Sequence, residues 1–467
     1  MTSSRSTLNI GALAILLAGA LFLVRWITPE FGPGRFTADH PVILLCSGLI
    51  IAGAAWVLMI LMLRKTEISA KSVLSFFLLL GLGLRVLFFG STPVYENDYE
   101  RYLWDGSVVA SGENPYRFSP AEIFEAGEIG ARSEPDLTRL ALRSNEADYL
   151  TGEINSPALT TIYPPAAQAV FTAAHWIAPY KKWGLKLMFL AIEILGLAAL
   201  LAALRARELP LLWSSAYWLN PVIIFTTYNG LHMDVLLVPP LMAAVWWVGR
   251  HPIRAAIMLS LAAAIKIWPL LLAPVLFRGW RHRPMLYCGI AALIGTLTLA
   301  SLAPMLFALG SESGLAAYSV NWTNSSFLFP GLRDGLGVFF ETPDRAARYL
   351  IALLLTGLSL WLGFRISPDK TLIPAHLMIL SAAFVFLSPT GYPWYFIWFL
   401  LFLPFALNHW SARGLALLTI GAAAYFARFQ IGEAGHYNIY SKILLPLEFG
   451  IPLLVLAWDG WKAKRHV

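Results

Sequence analysis

The chain has little charge and almost no cysteine. Only 13% of its 467 residues are Asp, Glu, Lys or Arg, about half the share of a soluble domain. That shortage excludes an ordinary water-soluble globule. Two cysteines, Cys46 and Cys288, are too few for a disulfide framework or a thiolate metal site, and both lie in apolar runs as small packed hydrophobes. There is no internal repeat, no low-complexity tract and no polar segment long enough to build a soluble domain with its own core. The only long polar stretch covers 91–162.

What is present is hydrocarbon-compatible side chain: 58% hydrophobic residues, with 18 Trp and 28 Phe. Runs of about 20 apolar residues are the length that crosses a bilayer. The net charge of +7 would suggest nucleic acid in a soluble protein. Here many of the Lys and Arg stand in short loops between apolar runs, as the positive-inside pattern requires, and no nucleic-acid partner is expected. The fold class expected is an all-α integral membrane protein of roughly 13 spans, forming one polytopic domain over 1–467. The first segment, Leu8–Thr28, reads as an uncleaved helix. Basic residues Arg64–Lys71 mark a cytoplasmic loop, which places the loops 91–162 and 309–343 on the extracytoplasmic side. Lys181, Lys182 and Lys186 fit that topology badly, and Tyr163–Pro179 or the proline-interrupted Ile253–Phe277 is expected to be short or re-entrant, which is tolerated where backbone is buried in protein or lines a cavity.

The chemistry-bearing stretch begins at Tyr95. Glu96, Asp98, Glu100 and Asp105 alternate with Tyr95, Tyr99, Tyr102 and Trp104 just after an apolar segment. The pattern predicts a helix over Asn97–Ser111 lying along the membrane interface. A carboxylate placed there can take a proton from a hydroxyl within hydrogen-bond reach; the plainer alternative is a solvated acidic surface. Asp105 lies two turns beyond Asp98 on the same face. Polar residues within apolar runs are site candidates in their own right: Asn229, His232 and Asp234 cluster between two helices, Glu193 sits mid-helix and is expected to pair with another polar side chain, and Lys266 is a cation three residues before Pro269. An ammonium at Lys266 suits a phosphate as a compact point charge, with snorkelling to the interface as the competing explanation. His232 and Asp234 lack a third partner for a metal. Arg428, His436 and Lys442 are either further anion ligands or an ordinary loop, and Trp394 and Tyr395 either an interfacial belt or a platform for sugar or isoprenoid.

The order of the motifs is more specific than any one of them. Asp98-Tyr99-x-Arg101-Tyr102-x-Trp104-Asp105-Gly106 is followed by Gly112-x-Asn114-Pro115-Tyr116, by Tyr163-Pro164-Pro165 at a helix start, by Asn220-Pro221 and Asn229-Gly230-x-His232-Met233-Asp234, by Lys266-x-x-Pro269, and by Ser388-Pro389 ahead of Pro393-Trp394-Tyr395. This sequence resembles the multi-spanning GT-C class of glycosyltransferases. It is most similar to the polyprenyl-phosphate-mannose-dependent mannosyltransferases that include the mycobacterial phosphatidylinositol mannosyltransferase. The resemblance runs from about Phe88 to Trp398, with two helices preceding the point where a minimal member begins.

The resemblance implies a polyprenyl-phosphate-sugar donor and inverting transfer of a hexose, mannose first, to a hydroxyl of a glycolipid, polysaccharide or protein acceptor, at the extracytoplasmic face of the plasma membrane. It implies Asp98 as general base and Asp105 as a second acid. Lys266 would bind donor phosphate, with His232 from the polar loop; Arg428 and His436, outside the resemblance, are added to that phosphate site as anion-ligand candidates. Tyr99, Arg101, Asn229, Asp234, Tyr163, Trp394 and Tyr395 would line the substrate site. No cofactor is required, although the acid cluster leaves room for a divalent ion. The alternative readings are a transporter or flippase of a lipid-linked or anionic solute, and a glycan ligase or polymerase using a diphosphate donor.

Overall fold

The computed structural model describes residues 2–32, 39–65, 71–129, 153–308, 313–365, 369–431 and 436–465. Residues 66–70 of the basic loop, 130–152 of the first polar stretch and 309–312 of the second lie outside the described residues, as does the side chain of His436.

Every named element is helical, and the only β pairing among the described residues is an isolated bridge between Asn324 and Thr390. The chain opens with α1 (Thr2–Ile27) and α2 (Val42–Leu63), which pack along each other. Then come α3 (Lys71–Leu87), α4 (Asp98–Ala110) and α5 (Pro120–Ile129). After them follow the short α6 (Pro165–Ile177) and the long α7 (Lys182–Arg205). The middle of the chain is broken: α8 (Pro221–Tyr228), α9 (Val238–Trp247) and α10 (Pro252–Ala263) are brief and joined by 3-10 turns. Long helices resume with α11 (Pro284–Leu306), and α12 (Gly314–Asn321) and α13 (Phe329–Leu336) lie between it and α14 (Pro343–Phe364). The chain closes with α15 (Ile373–Leu387), α16 (Ala412–Gly421), α17 (Ala423–Ala427) and α18 (Leu445–Arg465).

Seven helices in the described residues are long and apolar enough to cross a membrane, and eight if α8 and the helical stretch Met233–Trp247, bent by 112° at their junction, count as one span. This is fewer than the roughly 13 crossings expected from runs of spanning length. The difference lies in the broken segments. Apolar composition is the same whether a stretch is buried in protein or in lipid. The stretch around Tyr395–Leu407 folds as three short pieces (Pro393–Phe396, Ile397–Leu400, Leu403–Phe405) that are almost wholly inside the protein. Segment 163–179, one of the two expected to be short or re-entrant, supplies a helix of only 13 residues.

Proline sets many of the helix starts. Asn220 caps α8, its side-chain oxygen accepting from the amides of Val222 and Ile223, with Pro221 in the first turn; proline there sacrifices no intrahelical bond. One apolar core runs from Ile10 to Phe449, which ties the first helices to the last.

The helix after Asp98 corrects one expectation. It is not a surface helix: Tyr99 to Val108 are all buried. Helix α4 packs on α6, and Gly106 permits it, since a Cβ at that position would run into the Phe171 carbonyl. The acidic residues that looked solvated therefore had to find partners inside the protein.

One of the cations that sat awkwardly in the topology, Lys186, finds a structural role beside Arg25. Lys186 Nζ donates to the carbonyls of Phe88 (2.7 Å) and Phe89 (3.0 Å), and Arg25 donates to Leu87 (3.1 Å) and Gly90 (2.8 Å). Together they satisfy the carbonyls left over at the C-terminus of α3, where positive charge is favoured.

Candidate active site

A cleft of about 860 Å³ opens where the segment before α4, the Tyr228–Asp234 bend, the end of α10, the 3-10 turn at Pro393 and the Tyr425–Phe429 turn converge. Asp98, Arg101, Tyr163, Asp234, Lys266, Trp394, Tyr395 and Arg428, eight of the expected site residues, line it. They come from points spread over more than 300 residues of chain.

Asp98 is the first residue of α4, at the positive end of the helix. Its side chain is 32% exposed, and that exposure is toward the cleft. Burial raises its pKa, while a hydrogen bond from Asn155 and the charge of Lys266 pull the other way. Asn155 also donates to Asn97, and Asn97 to the Glu153 carbonyl at 2.9 Å, so the 153–155 strip is tied to the start of α4.

Glu96 stands beside it at 11% exposure. Its Oε1 accepts from Tyr425 Oη at 2.7 Å, and Tyr425 Oη accepts from Arg428 at 2.7 Å. Burial, then the neighbouring Asp98, push the Glu96 carboxyl up to about 8, against the opposing effects of Tyr425 and Arg428.

His232 sits between the two acids, with Nδ1 3.7 Å from Asp98 and Nε2 3.7 Å from Glu96. Its ring lies flat on Trp394, centroids 3.6 Å apart. Leu231 before it takes a left-handed backbone, φ 55°, and so does Tyr95 before Glu96, φ 59°. Such strain in a non-glycine residue costs about 1 kcal/mol or more and persists only where the surroundings impose it. Tyr95 is held by stacking on Phe429 (4.0 Å) and by His40 (2.9 Å).

Lys266 lies just beyond the end of α10. Its ammonium is 2.6 Å from Asp234, which also accepts from Trp398 Nε1 at 2.6 Å. The ammonium is 4.8 Å above Tyr395 and 5.1 Å from Trp398. The expected cation is therefore half of an ion pair, with Asp234 taking one of its three N–H donors. Asp234 is the partner that holds it, and it lines the cleft as well.

Three expected site residues lie away from the cleft. Asp105 is buried; Arg101 (2.8 Å), Thr161 and Gln168 (2.9 Å) all donate to its carboxylate. It braces α4 against the 159–168 segment, and Arg101 also binds the Leu159 carbonyl (3.0 Å). Tyr99 is buried, with Lys182 5.3 Å from its ring. Asn229 accepts from the Val94 amide (3.0 Å) and donates to the Thr92 carbonyl (2.7 Å), fixing the approach to Asp98.

The cleft also recruits residues whose sequence context gave no signal. Arg348 lines it and donates to the Trp322 carbonyl (2.9 Å) and Thr323 (3.2 Å). Tyr318 bonds Tyr395 (3.1 Å). The 323–326 loop pairs with 388–391 through the Asn324–Thr390 bridge, and Gly391 is needed there because a Cβ would collide with the Ser325 carbonyl. Arg428 reaches Asn324 (2.8 Å) from the other side. Among the described residues no three His, Cys, Asp or Glu side chains come together as a metal site.

Chemically, the cleft offers a carboxylate at a helix N-terminus, cations paired but still facing the cavity, and walls of Tyr and Trp. That set suits a polar ligand carrying negative charge and an apolar tail. Taken with the two relatives that follow, the all-helical membrane protein is a glycosyltransferase. The chain is 22% identical, over 95% of its length and 77% of the relative's, to an alpha-(1->6)-mannopyranosyltransferase of Corynebacterium glutamicum. It is 23% identical, over 80% of its length and 74% of the relative's, to an alpha-(1->6)-mannopyranosyltransferase of Mycobacterium tuberculosis. No family model matches the chain, and no solved structure matches it.

Proposed function

We propose that the chain transfers mannose from a polyprenyl-phosphate carrier to a hydroxyl of a glycolipid or polysaccharide acceptor, with inversion, at the extracytoplasmic face of the plasma membrane. The observation that carries this reading is Asp98 at the N-terminus of α4, facing a cleft that also holds Lys266, Arg348 and Arg428. The mannosyl group follows from the two relatives.

In this reading the acceptor hydroxyl attacks the anomeric carbon from the face opposite the phosphate. Its proton passes to Asp98. The bond from the anomeric carbon to the phosphate oxygen breaks, and the electron pair leaves with the phosphate. The leaving group is already stabilised as a phosphate ester, so cations placed around it replace a general acid. One base is sufficient for the acceptor, and no metal ion is required. The sugar ring, developing oxocarbenium character, would rest against Tyr395 and Trp394.

The Lys266–Asp234 pair gives a direct test. Lys266→Met removes donor-phosphate stabilisation and also strands a buried carboxylate. Lys266→Met combined with Asp234→Asn removes both charges. The expected result is that kcat/KM falls by roughly 100-fold or more in both variants, the range for a lost electrostatic contact to the reacting group, while the double variant recovers the thermal stability the single one loses. Recovery of transfer in the double variant would show that Lys266 only balances Asp234.

A further inference from the structure

Resting on Asp98 as the base, we propose that Glu96 is held as a neutral carboxylic acid and positions that base through His232: Glu96 Oε2–H donates to His232 Nε2, and His232 Nδ1–H donates to Asp98 Oδ2.

The argument counts protons. His232 is 2% exposed and presents one ring nitrogen to each carboxyl at the same separation, 3.7 Å. A neutral imidazole has one N–H and one lone pair. Facing two carboxylates, its lone pair would oppose an oxygen that can only accept. Facing one carboxylate and one carboxylic acid, both nitrogens are matched. The third arrangement, an imidazolium between two carboxylates, buries three charges where the proposed one buries a single charge, and buried charges are costly. His232 Nε2 is buried without a hydrogen-bond partner in this geometry, which is the place the Glu96 proton fills. Both gaps exceed a hydrogen bond by roughly 1 Å. The ring is pinned on Trp394, so the carboxyl groups, which border the cleft, are the parts that close them.

The other side of Glu96 agrees with this. Its Oε1 accepts from Tyr425, whose oxygen accepts from Arg428. The acid thus accepts on one oxygen and keeps the other for donation. The result is a chain of five side chains, Arg428 to Tyr425 to Glu96 to His232 to Asp98, with every N–H or O–H pointing toward the base. The groups facing Glu96 are Asp98, His232 and Tyr425, with Arg428 acting across Tyr425 and Tyr392 nearby. Burial and Asp98 keep its carboxyl neutral up to about pH 8. Above that value Glu96 ionises, loses the proton that Nε2 accepts, and releases the alignment of Asp98.

Glutamine is the discriminating replacement at Glu96, because its amide N–H donates to Nε2 and its oxygen still accepts from Tyr425. Transfer is measured against pH for the wild type, Glu96→Gln and Glu96→Ala, in detergent with a lipid-linked mannose donor. The wild-type rate is expected to fall above about pH 8. Glu96→Gln keeps most of the activity and lacks that alkaline limb, while Glu96→Ala frees His232 from its alignment on the Asp98 carboxylate and loses roughly 10- to 100-fold, the scale of that hydrogen bond to a charged group. If Glu96→Gln falls as far as Glu96→Ala, or keeps the wild-type limb, the neutral acid is wrong. An infrared comparison needs no turnover: at neutral pH the wild type should show a protonated-carboxyl C=O band that Glu96→Gln lacks. Its absence would overturn the proposal even if the donor were misassigned. Its presence beside a wild type that transfers no mannose would remove the function and leave Glu96 neutral.

Discussion

Asp98→Asn should lower sugar transfer by about 100-fold or more, the scale of a lost general base, with the fold intact. The two side chains have nearly the same shape. Asp98 opens α4, where a helix N-terminus favours an anion, and it is the acid of this helix whose carboxylate reaches the cleft. Asn155 and the helix end do not need the charge to hold the position, so melting should change little. The rate falls because an amide takes no proton from the acceptor hydroxyl. Binding of the donor should be preserved or slightly tightened, since a negative charge near the phosphate is removed. Purified variant and wild type, assayed with the same lipid-linked donor and compared by thermal melting, check this. Equal rates would remove Asp98 as the base.

The second large effect concerns stability. Arg85 and Glu193 are both fully buried. Arg85 Nε and Nη2 each lie 2.6 Å from a Glu193 oxygen. Tyr217 (2.7 Å) and Tyr228 (2.5 Å) donate to the same carboxylate, Arg85 donates to the Gly81 and Trp218 carbonyls, and its guanidinium lies 3.5 Å over the Trp218 ring. The pair therefore joins α3 to α7 and to the segment 217–228 that leads into the His232 bend. Glu193→Leu leaves an unpaired guanidinium in an apolar interior and should cost about 3–5 kcal/mol. Adding Arg85→Met to Glu193→Leu should return most of that loss, because removing both charges removes the desolvation with the attraction. Thermal melting in detergent distinguishes the cases. A single variant as stable as the wild type would mean the pair does not hold these helices together.

The same pair shows what was legible in the sequence. Glu193 stood out as a lone acid in an apolar run, and a polar partner was expected. Arg85 gave no such signal, because an arginine near the end of an apolar helix resembles ordinary interfacial charge. Asp98, Lys266, His232 and Asp234 were legible for a related reason: polar side chains in or beside apolar helices are costly unless used. Their pairing was not legible. That Lys266 would meet Asp234, 32 residues earlier in the chain, depends on the 112° bend after Tyr228. Local sequence there reports only Asn229 and Gly230. Asp105 misled for the opposite reason. Helical spacing placed it on Asp98's face, but tertiary packing closed that face with Thr161 and Gln168. The span count suffered from a limit of composition, which does not separate a helix buried in protein from one buried in lipid. Asn155 enters the cleft from a loop, and Tyr318 and Arg348 from helices α12 and α14, through tertiary packing that no periodicity describes.

The most direct test is transfer by the purified wild type in detergent, given radiolabelled polyprenyl-phosphate-mannose and a lipid extract as acceptor, with no gradient across any membrane. The account predicts labelled mannose on the acceptor, released polyprenyl phosphate in equal amount, and inverted configuration at the anomeric carbon. Label that stays on the carrier with this donor, and moves only from a diphosphate-linked sugar or only as uptake into sealed vesicles, would contradict it.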